Sequence, residues 1–230
     1  MAEEKELKIL IIGDNSAGKT QLILNYVDGY FPSPYVGTVG AEFKIKKIKY
    51  KDIEINLHIW NSIWKERFHA VTKNYLKSAD GIIFLYDITN KNSFDFVKDI
   101  IIENNFEFTE FNIKKILVGN SLDLEKERQV SRMSVKTFCK IRNIKEIEVS
   151  SKLGTNVSEC FELLVESIIE NQTKEELLKK YGKKNKGLSI KSKKRKNSNI
   201  ELNEEVDEIE GEDIKFPQLD KYISFQISLI

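Results

Sequence analysis

Between residues 7 and 172, short apolar runs alternate with longer segments whose apolar positions recur every three or four residues. LKILII (7–12), INLHIW (55–60), GIIFLY (81–86), KKILVG (114–119) and KEIEV (145–149) read as strands. FKIKKIKY (43–50) alternates apolar with charged residues, which predicts a strand exposed on one face. Tyr50-Lys51-Asp52 turns that strand into an adjacent, antiparallel one. The helical patterns KTQLILNYV (19–27), SFDFVKDIIIENNF (93–106), SVKTFCKIR (134–142) and SECFELLVESIIE (158–170) fill the gaps. Strands alternating with helices predict an α/β fold, a mainly parallel sheet with helices on both faces. In such a sheet ligands bind beyond the carboxyl ends of the strands.

Past residue 172 the pattern stops. LLKKYGKKNKGLSIKSKKRK (177–196) is densely basic and ELNEEVDEIEGED (201–213) densely acidic, while FPQLDKYISFQISLI (216–230) turns apolar again. Opposite charge blocks with few aromatics predict disorder. Residues 1–176 therefore read as the folded domain and 177–230 as a charged, disordered tail.

Composition narrows the class. Hydrophobic residues make up 40% of the chain, charged residues 32%, and the net charge is +1. That balance predicts a soluble protein with no whole-molecule attraction to nucleic acid. Cys139 and Cys160 cannot build a disulfide framework and fit a reducing compartment; both fall on apolar helix faces, where packing is expected. MAEEKELK lacks the charge and hydropathy of a signal peptide, and apolar runs such as Ile9–Ile12 are too short to span a bilayer. A cytoplasmic protein is expected. His58 and His69 show no metal-ligand spacing and are expected as ordinary surface residues.

GDNSAGKT (13–20) fits G-x-x-x-x-G-K-[ST] and sits between the first strand and the first helix, the context this motif requires. Its glycines let the backbone wrap a polyphosphate, while N–H groups at the helix start donate to phosphate oxygens. Asn15, Ser16, Ala17 and Gly18 line that loop. Lys19 reaches the β- and γ-phosphates, and the Thr20 hydroxyl holds Mg²⁺. Two later strand ends suit a base. GNSLD (119–123) follows KKILV, and VSSK (149–152) follows KEIEV. The Asp123 carboxylate can accept from both the N1–H and the N2 amino group of guanine, a donor pair that adenine lacks.

In this order the segments resemble the Ras superfamily of small GTPases, and within it the Rab family. The resemblance spans about residues 7–172. It rests on GDNSAGKT, TVGAEF (38–43), IWNSIWKERF (59–68), YLKSADGIIFLYDITNKNSF (75–94), GNSLDLEKERQVS (119–131) and VSSK. FLYDITNKNSF and IW…ERF point to Rab rather than to Ras or Rho. It implies a P-loop GTPase fold with a six-stranded, mostly parallel sheet, GTP or GDP with Mg²⁺, and a role in vesicle trafficking. By the same resemblance Thr38 reaches Mg²⁺ and the γ-phosphate, Phe31 stacks on the base, and Tyr35 and Trp64 add nucleotide contacts. Asn120 and Asp123 read the base; the Ser151 N–H faces guanine O6, with Ser150 and Lys152 alongside. Phe43, Trp60 and Tyr75 match an aromatic trio that contacts effectors. An exchange factor and a GTPase-activating partner are implied as well.

The chain departs from the family where catalysis is set. In place of Asp-Thr-Ala-Gly-Gln stand Asn61, Ser62, Ile63, Trp64 and Lys65. Neutral Asn61 removes a negative charge beside the metal, leaving a weak ligand. Trp64 lacks the backbone freedom of glycine. The family's Gln orients the attacking water and needs an acceptor, whereas Lys65 has donors alone. Slow or absent hydrolysis is expected, with no catalytic residue assigned. Ser121 in place of the Lys of Asn-Lys-x-Asp, with Asn15 and Ser16 in the loop, points to looser nucleotide. A GTPase completed by a partner's residue, or an interaction module without nucleotide, are the alternatives. No cysteine follows Cys160 and position 2 is Ala, so no prenyl or myristoyl anchor is expected. The basic block 179–196 could hold an anionic membrane weakly, and KSKKRK (191–196) could direct nuclear import.

Overall fold

Six strands answer the six runs: β1 (Glu6–Gly13), β2 (Glu42–Tyr50), β3 (Ile53–Asn61), β4 (Gly81–Asp87), β5 (Lys114–Asn120) and β6 (Lys145–Glu148). The structure, a computed structural model, describes residues 6–30, 42–50, 53–61, 76–170 and 176. The strands form one sheet in the order β2-β3-β1-β4-β5-β6, all parallel except β2, which runs antiparallel to β3. The helices are α1 (Lys19–Asp28), α2 (Lys91–Glu103), α3 (Asn105–Glu110), α4 (Arg132–Arg142) and α5 (Val157–Ile169).

The parallel strands are apolar on both faces because helices cover both. From β1, Leu7, Ile9 and Ile11 enter a core shared with α1 and α5, while Leu10 and Ile12 enter a second core under α2, α3 and α4. β4 divides the same way, with Ile83 and Leu85 on the first face and Ile82, Phe84 and Tyr86 on the second. Each such side chain contributes about 1.5–3 kcal/mol relative to exposure. Phe161 of α5 closes the first core by stacking on Tyr26 of α1, centroids 3.7 Å apart and rings within 6° of parallel. In the second, Phe108 meets Phe84 edge-on at 5.6 Å.

β2 departs from its sequence pattern. Apolar residues alternate at Phe43 and Ile45, then shift phase across Lys46-Lys47 to Ile48 and Tyr50. The strand nonetheless keeps unbroken register with β3, from Glu42 opposite Asn61 to Tyr50 opposite Ile53. One phase therefore has to give. Ile48 and Tyr50 take the core face, so Ile45 is left 49% exposed and Lys44 and Lys46 point inward. Lys46 lays its ammonium over the Tyr26 ring at 4.1 Å and donates to the Tyr26 carbonyl; Lys44 pairs with Asp28 at 3.2 Å. The apolar stems are covered and the charges find partners.

Two more expectations are corrected. The helix expected over 93–106 ends at Glu103, and α3 follows separately. Asn104 marks the break: at φ −106° and ψ 19° it leaves helical geometry, its N–H closes the last helical bond to the Ile100 carbonyl, and its Nδ2 donates to the same oxygen at 2.9 Å. His58 is not a surface residue. It is 9% exposed, with Nδ1 2.9 Å from a Glu6 carboxylate oxygen and its ring edge-on to Phe43 at 5.1 Å. Both cysteines are buried as packing residues, and burial raises both thiols, Cys139 to about 12 and Cys160 further. Phe31, Tyr35, Thr38, Ser62, Ile63, Trp64, Lys65, His69, Tyr75 and the whole of 177–230 lie outside the described residues.

Phe161→Ala should lower the unfolding free energy by about 3–5 kcal/mol, read as a lower urea midpoint at unchanged slope. Met133→Ala, on the exposed side of α4, should move it by no more than about 0.5 kcal/mol. Iodoacetamide at pH 8 should leave both cysteines unlabelled in the native chain and label both in urea. Native labelling at the rate of an open thiol would contradict the packing described.

Candidate nucleotide site

The described phosphate-loop and base-side residues gather where β1, β3, β5 and β6 end, on either side of the point where strand order reverses about β1. That is the crevice in which such sheets take ligands. Past β1, Asp14 is extended and caps a 3-10 turn, Asn15–Ala17; its carboxylate accepts from the Asn15 N–H at 2.6 Å and from Ser16 Oγ at 2.8 Å. Ser16 Oγ accepts in turn from Asn90 Nδ2 at 3.1 Å, tying the loop to the segment after β4. Gly18 ends this turn and opens α1 at φ +85°, where a side chain is strained, and an added Cβ would lie 2.3 Å from Asn120 Nδ2. At Gly13 a Cβ would lie 2.3 Å from the Leu85 carbonyl oxygen. The glycine spacing is therefore a steric requirement of this fold, and it leaves a cradle lined by backbone.

Lys19 opens α1 and is 7% exposed, its Nζ donating to the Gly13 and Asp14 carbonyls at 2.9 Å each. Burial lowers its pKa to about 8, and the Asp14 charge offsets part of that shift. An anion placed beside Nζ would raise it again. A desolvated cation next to a backbone cradle suits a polyphosphate.

On the base side, Asn120 joins two loops. Its Nδ2 donates to the Ala17 carbonyl at 3.0 Å, and its Oδ1 accepts from the Ser151 N–H at 3.0 Å and from Ser151 Oγ at 2.9 Å. Ser121 takes a left-handed conformation, φ +68°, after which Leu122 N–H donates to the Val149 carbonyl. Ser150 Oγ donates to Asp123 Oδ1 at 2.6 Å and accepts from Leu153 N–H at 3.1 Å. Lys152 stands exposed beside them. Behind this loop Arg128 grips Glu148 with two bonds, 2.7 and 2.8 Å, and Glu125 with two more, 2.6 and 2.9 Å. The structure thus brings Ala17, Gly18, Asn120, Asp123, Ser150 and Ser151 together around one crevice.

The metal side fits less well. Thr20 follows Lys19 on α1, and Asn61 at the end of β3 is 3% exposed with its Nδ2 donating to Thr20 Oγ1 at 2.9 Å. The Asn61 Oδ1 is buried and has no partner among the described residues. Mg²⁺ favours anionic oxygens. Among the described residues no group of three or more His, Cys, Asp and Glu could hold a metal ion. The described residues fit guanine nucleotide; toward Mg²⁺, Thr20 and Asn61 offer neutral oxygens alone. Phe43 and Trp60 sit side by side on β2 and β3, centroids 4.4 Å apart and partly exposed.

Sequence reasoning passed over Asp14, Asn90 and Arg128. For Asp14 a signal existed, since an Asp ahead of a turn commonly bonds its own following backbone. Asn90 is 74 residues from Ser16 and Arg128 is 20 from Glu148, and no local pattern predicts either contact.

A sequence profile of the Ras family matches residues 8–170. Ras-related protein Rab-1 of Theileria parva is 36% identical over 166 residues, 72% of this chain and 76% of its own length. Rab-1D of Dictyostelium discoideum is 40% identical over 163 residues, covering 70% and 79%. Rab-8 of Diplobatis ommata is 32% identical over 223 residues, covering 97% and 96%. With its phosphate loop, base-side loops and sheet order in place, the chain belongs to the Ras family and is a Rab-like small GTPase.

Proposed function

We propose that this chain is a guanine-nucleotide-dependent switch or adaptor in vesicle trafficking that hydrolyses GTP slowly or not at all. The observation that carries nucleotide binding is the Asn120 side chain, which couples the phosphate loop to the Ser151 loop while Ser150 holds Asp123. Asp123 would accept from guanine N1–H and the N2 amino group, and Lys19 and the loop N–H groups would hold the phosphates. Slow hydrolysis rests on residue chemistry: Lys65 stands where a water-orienting Gln is needed and offers no acceptor.

Phe43 and Trp60, with Tyr75 and Trp64 nearby in sequence, form the surface proposed for effectors; an exchange factor and a GTPase-activating protein are the other expected partners. The domain is proposed to occupy 1–176, with 177–230 a separate charged tail whose basic block gives at most weak contact with an anionic membrane. Among the described residues no helix is long and apolar enough to cross a bilayer.

The nucleotide carried by freshly purified protein, released by denaturation and separated by ion exchange, tests this reading. GTP near one per chain is the expected result. GDP would show turnover despite Lys65. An empty site that added GDP does not stabilise against heat would leave an interaction module without nucleotide. Lys65→Gln should raise the single-turnover rate by about tenfold or more if the missing acceptor is the cause. Asp123→Ala should erode the preference for GDP over ADP by about tenfold or more, because the guanine donors lose their acceptor.

A further inference from the structure

We infer that the chain retains guanine nucleotide with little dependence on a divalent cation, the Asn61 carboxamide replacing the carboxylate that would make a cation necessary. The inference rests on the nucleotide-binding reading above. A phosphate-loop Thr ordinarily shares its metal with an Asp at the end of a neighbouring strand. In this chain the residue that reaches Thr20 from β3 is Asn61, and it is an interior group, 3% exposed.

Charge and hydrogen bonding point the same way. A carboxylate accepts only, so beside it the Thr20 hydroxyl would have to donate and would turn a lone pair outward to a cation. The Asn61 amide instead donates to Thr20 Oγ1 and so engages one of that oxygen's acceptor sites. A carboxylate here would also repel incoming phosphates, and a cation between the two anions would be needed to relieve the repulsion. The neutral amide exerts no such repulsion.

The buried Asn61 Oδ1, without a partner among the described residues, adds a second observation. It is a neutral oxygen where a carboxylate would be anionic, so it gives a hard cation little hold. The other phosphate-binding groups, Lys19 and the backbone N–H groups where α1 begins, need no metal.

The test follows release of N-methylanthraniloyl-GDP from the full chain into excess GDP, in millimolar Mg²⁺ and in EDTA. The two release rates are expected to agree within about tenfold, a difference of no more than about 1.4 kcal/mol. Acceleration by EDTA well beyond about tenfold overturns the inference and leaves nucleotide binding standing. Failure to take up the probe with or without Mg²⁺ overturns the nucleotide reading itself, and the inference with it. Asn61→Asp, checked for native circular dichroism, should acquire EDTA sensitivity of about tenfold or more. Should that variant fail to fold, the two rates of the native chain alone decide.

Discussion

The crevice depends on one carboxamide. Asn120 bonds Ala17 across 103 residues and Ser151 across 31, so the phosphate loop and the two base-side loops share a single rigid group. Its orientation is fixed by its surroundings. Two Ser151 donors require the oxygen on one side, and the Ala17 carbonyl requires the nitrogen on the other. Gly18 approaches so closely to that nitrogen that no side chain is tolerated opposite it. Loss of the carboxamide would leave buried backbone groups unpaired at about 1–3 kcal/mol each, and the loops would lose their common reference. Asn61 is the counterexample within the same crevice. With one heteroatom engaged and the other not, its surroundings do not demand one orientation.

Much of the fold was legible because parallel strands covered on both faces are simply short apolar runs, and β1, β4 and β5 are unambiguous in that respect. Where two rules competed, sequence reading failed. β2 carries two alternations out of phase, and only register with β3 decides which one reaches the core. Asn104 ends a helix that apolar periodicity would continue. His58 has no apolar signal of its own, yet Glu6 on the neighbouring strand gives it an interior partner.

The site divides along the same line. The phosphate loop was legible because its residue types recur at a fixed spacing: glycine where an added Cβ would lie 2.3 Å from Leu85 or Asn120, Lys and Thr where the helix begins. The roles of Asp123 and Ser151 follow from strand ends that the pattern already placed. The Asn90 to Ser16 contact and the Arg128 clamp on Glu148 depend on how distant loops meet, and propensity carries no information about that.

The inward lysines of β2 have a consequence for how molecules of this protein meet one another. β2 is the outermost strand on its side of the described sheet, and an open strand edge invites another chain to add itself. A strand laid alongside would continue the inner face past Lys44 and Lys46 and would crowd ammonium groups that now reach Asp28 and the Tyr26 ring. Each added strand would have to strip water from a positive charge or break its existing contact. The phase shift in FKIKKIKY thus sets ammonium groups along an outer strand, where an added strand would have to displace them.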